Sequence, residues 1–170
     1  IDYKTSNKTL EGKGVYYGGK LQLPFYSYYY AKLFNKHPAG FAYFPIVVSF
    51  ETDKKTNYRM NGVFNNDADV LNKLDKKLSL TETNESKYFN INVKAYKNGK
   101  ITFSSCVDDA VLDALCEYAY KACVKAVEEM KEGCIAVSPN IDDKVCDYCD
   151  FKGICKRDLS VKERDTDTVS

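Results

Sequence analysis

The chain has 170 residues, of which 44% are apolar and 29% are charged, with a formal net charge of +1. This is the composition of a single globular domain, and the near-zero charge gives no overall attraction to nucleic acid. No stretch approaches the ~18 consecutive apolar residues of a membrane span, and the first residues lack the regions of a signal peptide, so we expect a cytoplasmic protein.

The chain opens on strand-like residues, and Ile1 is not an initiator methionine, so we expect a piece of a longer polypeptide. Asp2 and Lys4 are two positions apart, which places both side chains on one face of a strand. A carboxylate can hold a divalent metal while an ammonium polarises a phosphate, as metal-assisted phosphodiester hydrolysis requires. A surface ion pair is the alternative reading.

A polar, glycine-bearing loop is predicted for residues 5–17, followed by a helix over residues 19–35. Gln22 and Tyr26 lie one turn apart on that helix. The tyrosine-rich run 26–30 is compatible with base stacking, although core packing is the commoner use of such residues. The apolar face is predicted to contain Leu21, Phe25, Tyr28 or Tyr29, and Leu33.

The only histidine, His37, lies in a predicted turn, and we assign it no catalytic role. Residues 41–50 are typical of a buried central strand, with a bulge or a strand end at Pro45. Residues 58–64 predict a partner strand, and residues 67–78 a short helix. The polar stretch 81–86 is expected to be mobile.

Alternating apolar residues over 88–96 predict a strand with one wet face, and Asn98-Gly99 predicts a hairpin turn into a returning strand at 100–104. A long helix should begin at Ser105 or Asp108 and end at Lys131. Its expected apolar stripe is Val111, Leu112, Leu115, Ala119, Ala122, Val127 and Met130, with Cys116 and Cys123 as small core residues beside it.

Seven cysteines without a secretion signal indicate reduced thiols or metal ligands. Cys146, Cys149 and Cys155 fall within ten residues, and this spacing lets three thiolates converge on one metal centre. Zinc and an iron–sulfur cluster both remain open on spacing alone. Cys134 is the nearest further cysteine upstream of this cysteine-rich tail.

Together these features resemble one known family. An Asp-x-Lys strand, the strings VYYGGKLQLPFY and PAGFAYFPI, a long late helix and the terminal CDYCDFKGIC are similar, in order and spacing, to the C-terminal nuclease domain of the B subunit of AddAB-type bacterial helicase-nucleases. The resemblance spans nearly the whole chain. It implies an α/β, restriction-endonuclease-like PD-(D/E)XK core with a mixed sheet flanked by helices, N-terminally truncated.

By motif position, the resemblance makes Asp2 a metal-binding acid, Lys4 the catalytic lysine, and Gln22 and Tyr26 the Gln-x-x-x-Tyr motif of the cleft. Mg²⁺ would be held by Asp2 with the backbone carbonyl of Tyr3. It also implies cleavage of single-stranded DNA in double-strand break processing, with an AddA-type partner subunit. Cys146, Cys149 and Cys155 match three ligands of a structural [4Fe-4S] cluster.

Two family features are missing. The first acidic motif and the fourth cluster cysteine of the family would both lie upstream of Ile1, and Cys134 does not match the latter. We therefore expect this chain alone to cut no DNA. The expected organisation is a nuclease core over 1–138, an iron–sulfur tail over 139–158 and a disordered end over 159–170.

Two other functions are compatible with these residues. A CRISPR-adaptation exonuclease pairs a similar core with a similar cysteine tail, although PAGFAYFPI and the late hairpin–helix order favour the helicase-nuclease. A DNA-binding or scaffolding module with a decayed nuclease site is the third reading. An acidic residue at hairpin distance before Asp2 would argue against that module.

Overall fold

A computed structural model describes residues 1–5, 8–10, 12–46, 58–136 and 149–155. The helices and strands within those ranges are, in chain order, β1 (Asp2–Lys4), α1 (Gly12–Tyr16), α2 (Gln22–Phe34), β2 (Gly40–Pro45), β3 (Asn61–Asn65), α3 (Ala68–Leu74), β4 (Asn84–Glu85), β5 (Asn92–Ala95), β6 (Ile101–Phe103), β7 (Cys106–Val107), α4 (Asp109–Lys131) and α5 (Lys152–Cys155). The predictions for Cys146, for the continuation of the central strand through 47–50 and for the end of the chain lie outside them. None of the helices just named is long and apolar enough to cross a membrane.

The main sheet has the strand order β1-β2-β3-β7 and is mixed. β1 runs parallel to β2, β2 is antiparallel to β3, and β3 is parallel to β7. A second, antiparallel sheet has the order β4-β5-β6 and contains the predicted Asn98-Gly99 hairpin. The predicted α/β fold with a mixed sheet and flanking helices is therefore confirmed.

The main sheet separates two hydrophobic clusters. Phe41 and Tyr43 of β2 pack with Leu112 of α4 in one cluster, while Ala42, between them, packs with Phe64 in the other. Successive side chains of a strand point to opposite faces, so β2 is covered on both sides, as its run of apolar residues predicts. Helices α1, α2 and α4 cover the first face, and α3 with the second sheet covers the other.

Helix α2 is long enough to connect two regions of the surface. Pro24 is tolerated because it lies in the first turn, where the backbone N–H groups have no intrahelical acceptor. The helix ends at Asn35, which adopts the left-handed conformation (φ 50°, ψ 50°) typical of a helix C-terminus. The helix thereby runs from the end of β1 towards the start of α4.

The second sheet is fixed by buried polar contacts. The Arg59 guanidinium donates hydrogen bonds to the carbonyl oxygens of Phe89 and Ile91 at 2.8 and 3.2 Å. Ser86, fully buried, donates from Oγ to Asp75 Oδ2 at 2.6 Å. Arg59 thereby joins the segment before β5 to the residues that precede β3, and Ser86 joins the end of β4 to the end of α3.

Four predictions about secondary structure and burial need correction. Residues 12–16 form α1 rather than part of a loop, because Val15 is buried against the α2 and α4 layer. Leu33 is exposed although the helical spacing predicted it in the core, and so are Val111, Val127 and Met130 of α4. The stretch 81–86 contains β4 and the buried Ser86.

Candidate active site

Strand β1 forms one edge of the described main sheet and holds two of the predicted site residues. Asp2 is aligned with Tyr43 of β2, and Lys4 with Pro45. Their side chains share a face, as the period of two predicts, and Asp2 Oδ2 lies 2.7 Å from Lys4 Nζ. Both side chains are partly exposed, although the Oδ2 atom that faces Lys4 is itself buried.

The first turn of α2 adds the other two predicted residues. Lys4 Nζ donates to Gln22 Oε1 at 3.4 Å, and Gln22 Nε2 donates to the Tyr26 hydroxyl oxygen at 3.4 Å. The four side chains Asp2, Lys4, Gln22 and Tyr26 therefore form one continuous chain of polar contacts. A strand and a helix 18 residues apart in sequence supply its two halves.

The ion pair with Asp2 stabilises the protonated form of Lys4. The hydrogen bond and the negative charge of Asp2 raise the pKa of the Lys4 ammonium above its ordinary 10.5, against a smaller opposing effect of desolvation. Burial likewise raises the pKa of the Tyr43 phenol. Lys4 thus stays protonated at neutral pH and is a cation rather than a base.

Lys20 is a second cation at this site, and the sequence patterns did not single it out. Lys20 Nζ lies 6.0 Å from the centroid of the Tyr43 ring, and Lys4 Nζ lies 5.3 Å from the same centroid. Lys20 precedes α2 and its stem lies so close to Gly14 that a β-carbon there would meet Lys20 Cγ at 2.7 Å. The Gly14 position thus gives the Lys20 side chain room to lie beside Tyr43.

The donor set suits a hard divalent cation. Asp2 Oδ2 is buried, and within the described residues it has only the Lys4 ammonium at ion-pair distance. Lys4 O accepts a hydrogen bond from Ile46 N at 2.7 Å, so the peptide groups of Lys4 face β2. The carbonyl of the neighbouring Tyr3 therefore points the other way, to the open edge of the described sheet. A carboxylate and a free carbonyl are oxygen ligands of the kind that Mg²⁺ prefers.

A separate group of ligand-type side chains lies at the other end of α2. His37 Nδ1 is 3.2 Å from Asp113 Oδ2 and 3.9 Å from Asp109 Oδ2. All three ligand atoms lie within 4.8 Å of one another on the exposed surface. This cluster gives His37 acidic partners that the sequence did not reveal, and it links the end of α2 to the start of α4.

The cysteines divide into two groups. Cys116 is buried in the core beside α2, as predicted, and burial with the nearby Asp113 raises its thiol pKa to about 12. Burial also raises the pKa of Cys106 to about 11. Cys149 and Cys134 are exposed. Cys146 and the side chain of Cys155 lie outside the described residues, so the three-cysteine ligand set stays a prediction.

The sequence profile of the PD-(D/E)XK nuclease superfamily matches residues 1–156. The chain belongs to this superfamily. The mixed sheet with an Asp-x-Lys edge strand and a flanking helix is therefore the superfamily's nuclease core, and the expected fold family is confirmed.

Curated relatives of this PD-(D/E)XK chain carry one name. The chain is 29% identical over 192 residues to the B subunit of the ATP-dependent helicase/deoxyribonuclease of Bacillus thuringiensis (strain Al Hakam), covering 99% of this chain and 16% of the relative. The B subunits of the same name from Bacillus cereus (strain AH187) and Bacillus anthracis match at the same identity and coverage. The chain thus spans about one-sixth of the length of these relatives, and the predicted resemblance to the helicase-nuclease B subunit is confirmed.

Proposed function

We propose that this chain is the nuclease domain of a helicase-nuclease B subunit and that, within the complete protein, it hydrolyses phosphodiester bonds of single-stranded DNA during double-strand break processing. The observation that carries the proposal is the chain of contacts from Asp2 through Lys4 and Gln22 to Tyr26 in a PD-(D/E)XK nuclease. The names of the relatives support both the deoxyribonuclease activity and its association with a helicase.

Asp2 Oδ2 and the Tyr3 carbonyl would hold Mg²⁺. When bound, the cation supplies charge stabilisation for the phosphoryl transition state and lowers the pKa of a coordinated water. The buried Oδ2 atom, which accepts no hydrogen bond from described residues other than that of the Lys4 ammonium, supports this assignment. Neither ligand needs to break a backbone hydrogen bond of the sheet to reach the cation.

Lys4 holds its proton at Nζ and presents a positive charge to the scissile phosphate. Of the three N–H groups of Lys4, one donates to Gln22 Oε1 and one to Asp2, which leaves the third for a substrate oxygen. Tyr26 accepts its hydrogen bond from Gln22 through the hydroxyl oxygen, so its own O–H proton is available for a phosphate oxygen. Gln22 is a positioning residue that orients both donors.

The wider assignments follow from the same proposal. The partners are single-stranded DNA ends and a helicase-nuclease subunit of the AddA type, and the expected location is the cytoplasm. Cys146, Cys149 and Cys155 would hold three positions of a [4Fe-4S] cluster that fixes the C-terminal segment. The exposed Cys149 on the described part of this segment is compatible with ligation. Binding energy of such a centre is coupled to folding, so its role is structural.

The decisive experiment compares Asp2→Ala and Lys4→Ala with the unaltered full-length protein assembled with its partner subunit. We expect both variants to lose magnesium-dependent cleavage of single-stranded DNA and to keep ATP-driven unwinding. Asp69→Ala and Lys94→Ala, which change exposed residues of the same types on α3 and β5, are the matched controls. Full cleavage by either site variant would refute the proposed mechanism.

A further inference from the structure

Helix α2 has an exposed, mostly aromatic face, and the catalytic roles above use only Tyr26 from it. Tyr26, Tyr30, Leu33 and Phe34 all lie on the solvent side of the helix, with exposed fractions of 58%, 54%, 77% and 54%. Tyr28, in contrast, stacks on Tyr120 of α4 with ring centroids 4.4 Å apart and an interplanar angle of 10°. The tyrosine-rich run thus packs against α4 at Tyr28 and faces solvent at Tyr26 and Tyr30.

The exposed rings form a row that begins at the active site. Gln22, Tyr26, Tyr30 and Phe34 follow one another at intervals of four residues, which is ~6 Å along a helix axis. The Tyr30 and Phe34 rings lie against each other with centroids 4.6 Å apart and a 41° tilt. They make one continuous surface, on whose outer side a flat group can stack.

The charge of this region suits a polyanion. Residues 12–50 contain no aspartate or glutamate, although the chain has 24 acidic residues, and they contain Lys13, Lys20, Lys32 and Lys36. Lys32 lies on α2 itself, and Lys36 follows its last turn. A strand that follows α2 away from the Asp2–Lys4 pair would therefore meet no carboxylate from the helix itself. Lys32 Nζ lies 5.5 Å from the centroid of the Tyr28 ring, beside the exposed row rather than on it.

We propose that Tyr30 and Phe34 stack the bases of the single-stranded DNA whose backbone is cleaved at Asp2 and Lys4. This inference rests on the proposed nuclease function and adds the path of the strand. The two rings contact each other, so bases would stack on the outer side of the pair rather than between its rings, which suits an unpaired single strand. Aromatic stacking is tolerant of sequence because every base has a π-face, which suits a nuclease that degrades whatever strand arrives.

The test measures cleavage by the full-length protein on three oligonucleotides, each with one cleavable phosphodiester and with phosphorothioates at the remaining linkages. The first oligonucleotide has all its bases. In the other two, the nucleotides two to four positions from the cleavable bond are abasic, on the 5′ side in one and on the 3′ side in the other. We expect Tyr30→Ala with Phe34→Ala to raise KM for the intact strand roughly tenfold with little change in kcat. The abasic oligonucleotide whose missing bases would lie over Tyr30 and Phe34 should show the same rise in KM with the unaltered protein. The double variant should cause no further rise in KM on that oligonucleotide.

Two further variants separate stacking from other uses of this face. Tyr30→Phe with Phe34→Tyr keeps both rings and should restore the unaltered KM, whereas Tyr30→Leu with Phe34→Leu keeps apolar area without a ring and should not. If the leucine variant cleaves normally while the alanine variant loses assembly with the partner subunit, the face contacts protein and the proposal is wrong. Tyr96→Ala, at a site 51% exposed on the distal hairpin, is the matched control.

The outcomes distinguish base stacking from the nuclease function on which it depends. Equal KM values for the alanine variant and the unaltered protein, or additive effects of variant and abasic strand, would overturn base stacking and leave the nuclease function intact. Absence of any cleavage by the unaltered protein would instead overturn the nuclease function. Melting temperatures should be nearly unchanged in every variant, because both side chains are more than half exposed.

Discussion

Asp2 Oδ2 and Lys4 Nζ lie 2.7 Å apart on one face of β1, and this ion pair raises the pKa of the lysine. A lysine in this state cannot serve as a general base at neutral pH. In the proposed mechanism, Lys4 contributes a fixed positive charge whose direction is set by the hydrogen bond to Gln22. The site therefore combines one anionic ligand and one cation, which is the arrangement that a phosphodiester and a divalent metal require together.

Lys4 should act through its positive charge rather than by transferring a proton. Lys4→Gln removes the charge and should lower kcat by roughly 10²- to 10³-fold, as for loss of one preorganised electrostatic donor, while Lys4→Arg should retain a measurable fraction. Because Asp2 raises the pKa of Lys4, the group stays charged through the mildly alkaline range, and no loss of rate from Lys4 should occur there. A pH–rate profile in which activity disappears between pH 8 and 10 in the unaltered protein, but not in Lys4→Arg, would contradict this role.

Removing the hydroxyl of Tyr26 tests the available O–H donor. Tyr26→Phe keeps the exposed ring and should reduce kcat roughly 10- to 150-fold, since a hydrogen bond to a charged oxygen is worth ~1.5–3 kcal/mol. Gln22→Ala should cause a similar loss, because Lys4 and Tyr26 would both lose their orienting partner. Single-turnover cleavage measures both effects. The double variant should be little worse than either single one, and fully multiplicative losses would show that the two residues act independently.

Thiol alkylation should separate the cysteines by environment. Cys134 is exposed and should react first, whereas Cys106 and Cys116, whose burial raises their pKa to about 11 and about 12, should react slowly near pH 7. Mass spectrometry of the native full-length protein reports each site. With a cluster bound, the exposed Cys149 should be protected together with Cys146 and Cys155, and should become reactive after the metal is removed.

Colour and stability provide the control for that experiment. Anaerobically purified full-length protein should be brown, and replacement of Cys149 by Ala should bleach it and loosen the C-terminal segment, whereas Cys134→Ala should do neither. Rapid alkylation of Cys149 in colourless, fully active, anaerobically purified protein would exclude the cluster.

The buried bond from Ser86 to Asp75 should contribute to stability. Ser86→Ala leaves the Asp75 Oδ2 oxygen without its donor, and it also removes the acceptor of the Phe89 backbone N–H. Loss of a partner from a buried polar group costs ~1–3 kcal/mol, or a fall of several degrees in melting temperature for a domain of this size. Denaturant unfolding measures the change, with Ser79→Ala, a less buried serine between α3 and β4, as the control. An unchanged midpoint would mean that water replaces the serine.

Local patterns in the sequence determined much of the architecture. The opening strand and the central strand are present and were recognisable from their local residue patterns, although their hydrogen bonds join residues distant in sequence. The Asn98-Gly99 hairpin and the long helix from Asp108 depend on interactions between near neighbours, and both are present. The same holds for the pairs Asp2 with Lys4 and Gln22 with Tyr26, because the strand and helix periods place each pair on one face. The motif order was sufficient to indicate the nuclease superfamily.

Only the tertiary structure decided how those local pieces meet. The contact between Lys4 and Gln22, the approach of Lys20 to Tyr43 and the acidic partners of His37 join residues distant in sequence, and they depend on how α2 packs against the sheet and α4. Helical spacing alone placed Leu33 in the core, whereas the direction of packing leaves it in solvent. Periodicity determines which residues of a helix share a face, but packing of the whole core determines which face is buried. The orientation of α2 that results brings Gln22 to Lys4 and leaves the aromatic row exposed.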